Sequence, residues 1–303
     1  MTEGPNEFAD GGTILAFLNE VAGGRKLLAA IRERVAAGAE HVALAAPQNQ
    51  PVSGQIVDVD EVRDAALSRV EVTQQVLAQF GIEATASIFD PDPPLALDDA
   101  VRAFSPSEVL ISSLASTRFG LARKDLIEWA RARFTVPVEH IPVRIEDDAV
   151  RWDVTHTLVV ATRTVNAPDL LEHLIARHRE TPHRYTFISP KSGDASREET
   201  VDRLADALAA LYREEIDATG QPMSPEPFAA VSNAVEHYRV DDILVSTFAG
   251  RQSKWLEDGL IERVGEITDK TVEHFESRGD VAGGAQAARQ PVAASAAGPG
   301  SEA

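Results

Sequence analysis

Short apolar or β-branched runs alternate along the chain with longer stretches whose apolar residues recur at helical spacing. TILAFL from Thr13, HVALAA from His41, ATASIF from Ala84, EVLISS from Glu108 and VPVEHIPV from Val136 are runs of the first kind. Between them the spacing predicts helices over residues 25–37, 59–80, 95–104 and 121–134. In the second of these, Val62, Leu67, Val70, Val76 and Leu77 share much of one face. Such alternation is the signature of βαβ units. Runs that are apolar on both faces belong in a parallel sheet covered by helices on each side. Five parallel strands are therefore predicted for the first half.

The second half repeats the pattern. EVLISSLASTRFGLARKDLIEWARARFTVPVEH from Glu108 lies over DILVSTFAGRQSKWLEDGLIERVGEITDKTVEH from Asp242 without a gap, at an offset of 134. Leu110, Ser112, Leu126, Ile127, Glu128, Val138, Glu139 and His140 meet identical residues, where ordinary residue usage would give about two by chance. The same offset carries Pro91, Pro93, Ala100 and Val101 onto Pro225, Pro227, Ala234 and Val235, and Arg69 onto Arg203. Nearer the start the offset drifts to 144, pairing Thr13 with Thr157. Two tandem copies of one α/β domain follow, each an open five-stranded parallel sheet, over residues 13–146 and 153–277. HTLVVAT, RYTFIS, DDILVST and KTVEHF supply four strands of the second copy. EIDATGQPM stands where its third belongs, and Gly220 and Pro222 predict a short or irregular edge strand there. The charged stretch RIEDDAVRWD marks the boundary, with Trp152 either an interface anchor or a cap on a local core. A link this short favours side-by-side packing, an internal pseudo-dimer.

Composition changes this picture little. A chain of 303 residues, 44% hydrophobic and 25% charged, is long enough for two separate cores. A formal net charge of −19 repels phosphate backbones and anionic lipid, so neither a nucleic-acid nor a membrane partner is expected. The densest basic stretch, Arg118 to Arg133, also carries Asp125 and Glu128 and reads as a solvated helix face. The absence of cysteine excludes disulfides, thiolate metal sites and cysteine nucleophiles. MTEGPNEFADGG is polar where a secretory signal is apolar, and a cytoplasmic location is expected. Residues 278–303 lack aromatic residues and any periodic apolar face, and are expected to form a disordered tail.

In open parallel sheets, ligands bind beyond the carboxyl ends of the strands where the strand order switches. The segments after the fourth strands are therefore the candidates. In the first copy they offer Ser112, Ser113, Ser116, Thr117 and Arg118; in the second, Ser246, Thr247, Gly250, Arg251 and Ser253. Hydroxyls, an arginine and a following helix suit an anion, and Gly250 beside Arg251 favours the second copy, since glycine permits close backbone approach to phosphate. The competing structural reading is that the hydroxyls only cap helices and close turns.

These loops and the order of elements resemble the universal stress protein family. The resemblance implies an adenine-nucleotide α-hydrolase-like fold, often in tandem, with an adenine nucleotide such as ATP bound by a glycine-rich loop after the fourth strand. Here that loop is degenerate: Gly120 stands alone in the first copy, and Gly250 with Gly259 form a fragment in the second. At the turn after the first strand, where an acidic residue is usual, Asn19 and Glu20 stand in one copy and Arg163 and Thr164 in the other. A divergent, non-catalytic tandem member is the reading that results. Its rivals are a ligand-free interaction module that pairs domains or chains, as in a homodimer, through the Glu-His edges at His140 and His274, and a nucleotide-dependent enzyme. The enzyme would need a phosphate-gripping motif early in the chain, and VAGGRK from Val21 is a lone glycine pair.

Two clusters invite metal chemistry. His173, His178 and His183 recur every five residues and so do not share one helix face, which predicts exposed or capping roles. Asp90, Asp92, Asp98 and Asp99 surround DPDPPLALDD, where prolines and acids are better explained by a helix start.

Overall fold

The computed structural model describes residues 12–19, 22–49, 59–113, 118–119, 124–143, 154–190, 196–223, 226–238, 240–250 and 253–279. The first copy runs β1 (Thr13–Leu18), α1 (Arg25–Ala36), β2 (His41–Pro47), α2 (Val59–Gln79), β3 (Thr85–Phe89), α3 (Pro93–Phe104) and β4 (Glu108–Ser113). A two-residue ladder of β5 (Arg118–Phe119) with β6 (Lys124–Asp125) follows, then α4 (Leu126–Arg133) and β7 (Val138–Pro142). The second copy runs β8 (Thr155–Val160), α5 (Pro168–Glu180), β9 (His183–Pro190), α6 (Arg197–Arg213), β10 (Ala218–Met223) and α7 (Pro227–Tyr238). It closes with β11 (Asp242–Phe248), α8 (Lys254–Glu257), α9 (Leu260–Ile267) and β12 (Thr271–Ser277). Both main sheets are five-stranded and wholly parallel, ordered β3-β2-β1-β4-β7 and β10-β9-β8-β11-β12. The order therefore reverses between β1 and β4 in one sheet and between β8 and β11 in the other.

Two expectations need correction. The helix expected over 121–134 starts only at Leu126, because Asp125 caps it by accepting from the backbone N–H groups of Ile127 and Glu128, and the chain just before it is extended. The third strand of the second copy is neither short nor irregular. β10 keeps six residues in register with β9 from Ala218 to Met223, at the sheet edge where a proline is tolerated. Gly220 is required there, since a Cβ would stand 2.9 Å from both Leu204 Cδ1 and Phe187 Cβ. Trp152 and residues 280–303 lie outside the described residues.

The pleat sorts each strand's side chains between two faces. Leu15, Phe17, Val109 and Ile111 pack with α3 and α4, and Leu158, Val160, Ile243 and Val245 pack with α7 and α9. The opposite faces merge. Ile14, Ala16, Leu18 and residues of α1 and α2 belong to the same buried cluster as Val159, Tyr185, Phe187 and residues of α5 and α6. Polar ties border this shared core. Tyr212 Oη donates to the carbonyls of Ala218 (2.8 Å) and Gly23 (3.3 Å), Thr219 Oγ1 donates to Ala22 O (3.2 Å), and Arg25 pairs with Asp217 (2.8 Å). Arg197 reaches Glu71 (3.0 Å), and Gln79 donates to Asp206 (2.8 Å). The two copies thus form an internal pseudo-dimer.

Ionic clamps recur at the amino ends of the fourth and last strands. Arg34 holds Glu108 (2.8 Å) and Glu139, while Arg177 holds Asp242 (2.6 Å) and Glu273 (3.2 Å). The glutamates of the two Glu-His pairs therefore serve these clamps.

Replacing Tyr212 by Phe strands the Ala218 and Gly23 carbonyls at the domain boundary and should lower stability by about 1–2 kcal/mol, measured as a shift in denaturant midpoint at unchanged slope. Burial pushes the Glu71 carboxyl above the ordinary range, against the pull of Arg197 and with help from Asp64 and Glu198. A carboxyl raised on folding favours the folded state at low pH, and that contribution fades as pH rises through the raised value. Glu71→Gln should therefore flatten the decline in stability expected as pH rises above the ordinary carboxyl range, followed by thermal melts.

Candidate functional site

Both fourth strands bring a pair of hydroxyl residues to the switch point. Ser112 and Ser246 occupy the same repeat position, are almost wholly buried, and each has an Oγ with no hydrogen-bond partner. Their neighbours point to the other face. Ser113 Oγ meets His140 Nε2 at 3.0 Å, and Thr247 Oγ1 meets His274 Nε2 at 2.8 Å. The edge histidines are thus tied to the ends of the fourth strands. Beyond β11, Gly250 takes φ +65° with nothing within 4 Å of where a Cβ would stand, and the Ser253 carbonyl accepts from Leu256 and Glu257. Ser116, Thr117 and Arg251 lie outside the described residues. Arg118 is described only in its backbone, paired with Asp125.

The carboxyl end of the first sheet is organised by a residue that the repeat flagged only as an identity. Arg69 of α2 is fully buried, and its guanidinium donates to Leu18 O (3.1 Å), Asn19 O (2.8 Å), Asn49 O (2.7 Å) and Asn49 Oδ1 (3.1 Å). It thereby ties together the backbone at the ends of β1 and β2. Arg203, its repeat partner, instead reaches Glu199 at 3.4 Å. In the second sheet, hydroxyls tie strand ends together: Thr162 donates to Pro190 O (2.8 Å), Ser189 to Ala161 O (2.6 Å) and Thr164 to Ser246 O (3.2 Å).

Between the domains a crevice opens at the switch point of the first sheet. Ser112 and the end of β7 form its floor, the start of α1 one wall, and the starts of β8, β9 and β10 the other. The glycine pair of VAGGRK stands here. Gly23 is packed against Leu27 and donates to Thr73 Oγ1 (3.0 Å), and Gly24 is the N-cap of α1 with no side-chain capping bond. Arg25, Lys26, Arg184 and His156 also line the crevice, with Asp217 as its acid. Burial lowers the Lys26 pKa first; Asp217 opposes this and Arg25 adds to it. The matching place in the second copy is built differently. Asp169 already sits in the first turn of α5, accepting from Ser277 Oγ (2.7 Å) and Arg278 N (2.7 Å).

The metal-suggestive clusters resolve into local structure. Asp92 caps α3 by accepting from Leu95 N, Asp90 accepts from Asp92 N, Asp98 pairs with Arg102 and Arg133, and Asp99 pairs with Arg102. His178 Nδ1 accepts from His183 N (3.1 Å) and closes the turn into β9, His173 lies against Phe275, and His183 is buried rather than exposed, stacked on Tyr185. Among the described residues no group of three or more His, Cys, Asp or Glu is placed to hold a metal ion, and no helix is long and apolar enough to cross a membrane.

No family model and no curated protein matches the chain. Among solved structures it is similar to a universal stress protein from Archaeoglobus fulgidus DSM 4304, at 18% identity and a TM-score of 0.33 over 88% of this chain and 97% of that one. It is also similar to the glycotransferase of kitacinnamycin, at 12% identity and a TM-score of 0.20 over 88% and 87% of the two chains. The fold rests on the strand order and registers described above, not on these matches.

Arg69→Met should cost about 3 kcal/mol or more, because it removes four hydrogen bonds and leaves buried carbonyls at the ends of β1 and β2 unsatisfied. Urea titration of the variant, compared with Arg203→Met at the repeat position, should show a much smaller loss for the latter.

Proposed function

We propose that the chain is a non-catalytic protein of universal-stress type that binds a small phosphate compound, an adenine nucleotide foremost, at the carboxyl ends of β4 and β11. The pair Ser112 and Ser246 carries this reading. A buried hydroxyl without a partner costs about 1–3 kcal/mol, and here that cost recurs at one position of both copies, at the place where open parallel sheets receive ligands. A ligand oxygen at each site would remove it. In the second copy Gly250 leaves the backbone unobstructed and Arg251 follows it, a suitable charge for phosphate. The hydroxyl-imidazole pairs on the opposite face serve the sheet edge in this reading, with no role in turnover.

Calorimetric titration of the full chain with ATP, ADP and AMP tests the proposal. Binding of at least one nucleotide is expected, weakened about tenfold, or 1.4 kcal/mol, by Ser246→Ala and further by Arg251→Ala. Absence of heat with all three would overturn it in favour of the interaction module, and ATP turnover under the same conditions would replace it with an enzyme.

A further inference from the structure

Resting on that reading, we infer that the first copy's site is a composite one. The interdomain crevice takes a phosphomonoester dianion between the amino terminus of α1 and the first residues of the second sheet. Three independent features converge on it. The first is the helix: α1 has twelve residues, its N-cap is a glycine without a side-chain bond, and its first turn holds no acid, so its leading N–H groups face the crevice uncapped. The second is Ser112, fully buried and lining the same crevice, whose Oγ has no partner. The third is charge. Among the described residues, Arg25, Lys26 and Arg184 line the crevice and Asp217, paired with Arg25, is the acid there.

The second domain does more than roof the site. Arg184 donates from its NH2 group toward His156 Nδ1 (3.4 Å), and His156 Nε2 lies 2.8 Å from Thr186 Oγ1. That arrangement fits an imidazole with its proton on Nε2, and it holds the guanidinium at the lining of the crevice. The loop before α1 is also fastened from the second domain, at Ala22 by Thr219, at Gly23 by Tyr212 and at Arg25 by Asp217. A bound dianion would therefore bridge the two copies. The equivalent place in the second copy needs none, because Asp169 supplies a carboxylate at the start of α5.

Gly24→Asp provides the sharpest test. Gly24 has φ −84° and ψ −179°, which any residue adopts, and a Cβ there meets nothing closer than 3.8 Å. The new carboxylate would cap α1 and occupy the anion's place, so the variant should keep or raise its melting temperature while losing the ligand. The full chain is titrated with inorganic phosphate, AMP and adenosine at fixed ionic strength, alongside Gly24→Asp, Arg184→Gln, Ser112→Ala and Ser246→Ala. AMP is expected to bind and adenosine not, with affinity for AMP at the crevice falling at least tenfold in the first two variants, weakening in Ser112→Ala and unchanged in Ser246→Ala. Inorganic phosphate competing with AMP would show that the phosphate alone is recognised; AMP binding without such competition would show that the nucleoside is needed as well, the composite site standing in either case. AMP affinity that survives Gly24→Asp and Arg184→Gln but falls in Ser246→Ala would overturn the composite site while leaving nucleotide binding by the second copy intact. Absence of binding by phosphate, AMP and ATP alike would overturn both.

Discussion

The shared apolar core between the α1/α2 face of the first sheet and the α5/α6 face of the second is the constraint on which the rest depends. Each sheet presents two apolar faces, and a single domain of this kind must cover both with its own helices. Here the copies cover one another's inner faces in part, with α2 against α6, and each retains an independent core only on the outer side. Burial on that scale, at about 25 cal/mol per Å² of apolar surface, outweighs any of the polar ties at its rim. Those ties set the register of one domain on the other.

That packing explains why a duplication of one domain does not yield two equal sites. The carboxyl end of the first sheet comes to face the starts of β8, β9 and β10, whereas at the matching end of the second sheet Asp169 of α5 is tied to Ser277 of its own β12. An interface between identical copies related by symmetry would treat both ends alike. The tandem arrangement is under no such requirement, and the first turn of α1 holds no acid where that of α5 holds Asp169.

The fold was legible because its two signals are local and repeated. Apolar runs alternating with helical periods specify the βαβ order, and the offset of 134 shows that the order occurs twice. The errors fall where one residue overrides a pattern. Asp125 delays α4 by several residues, and Gly220 with Pro222 reads as a broken strand, although close packing on Phe187 and an edge position hold β10 regular. The candidate site was legible only in part. Ser112 and Ser246 stand out by repeat position alone, but Arg184 and His156 sit at the starts of ordinary strands and acquire a second set of neighbours only through the interface. The glycine pair at Gly23 and Gly24 was visible and read as too sparse for a phosphate loop. Its context, an uncapped helix opposite another domain's arginine, has no trace in local sequence.

The two ends of the sheets have diverged to different degrees, which separates framework from site. At the amino ends, Arg34 with Glu108 and Glu139 has its counterpart in Arg177 with Asp242 and Glu273, the same charges on the same strands in both copies. At the carboxyl ends little matches beyond the serines and the hydroxyl-imidazole pairs Ser113–His140 and Thr247–His274. One copy satisfies its strand-end carbonyls with the Arg69 guanidinium, the other with Thr162, Thr164 and Ser189, and the helix starts differ in charge. An ion clamp linking two strands and a helix has few alternative solutions, because removing either partner leaves a poorly solvated charge. Strand-end carbonyls accept any donor of the right reach, so guanidinium and hydroxyl are interchangeable there. Against that background, Ser112 and Ser246 are the anomaly: a buried hydroxyl with no partner is retained at the one end of the sheet where so much else has been exchanged.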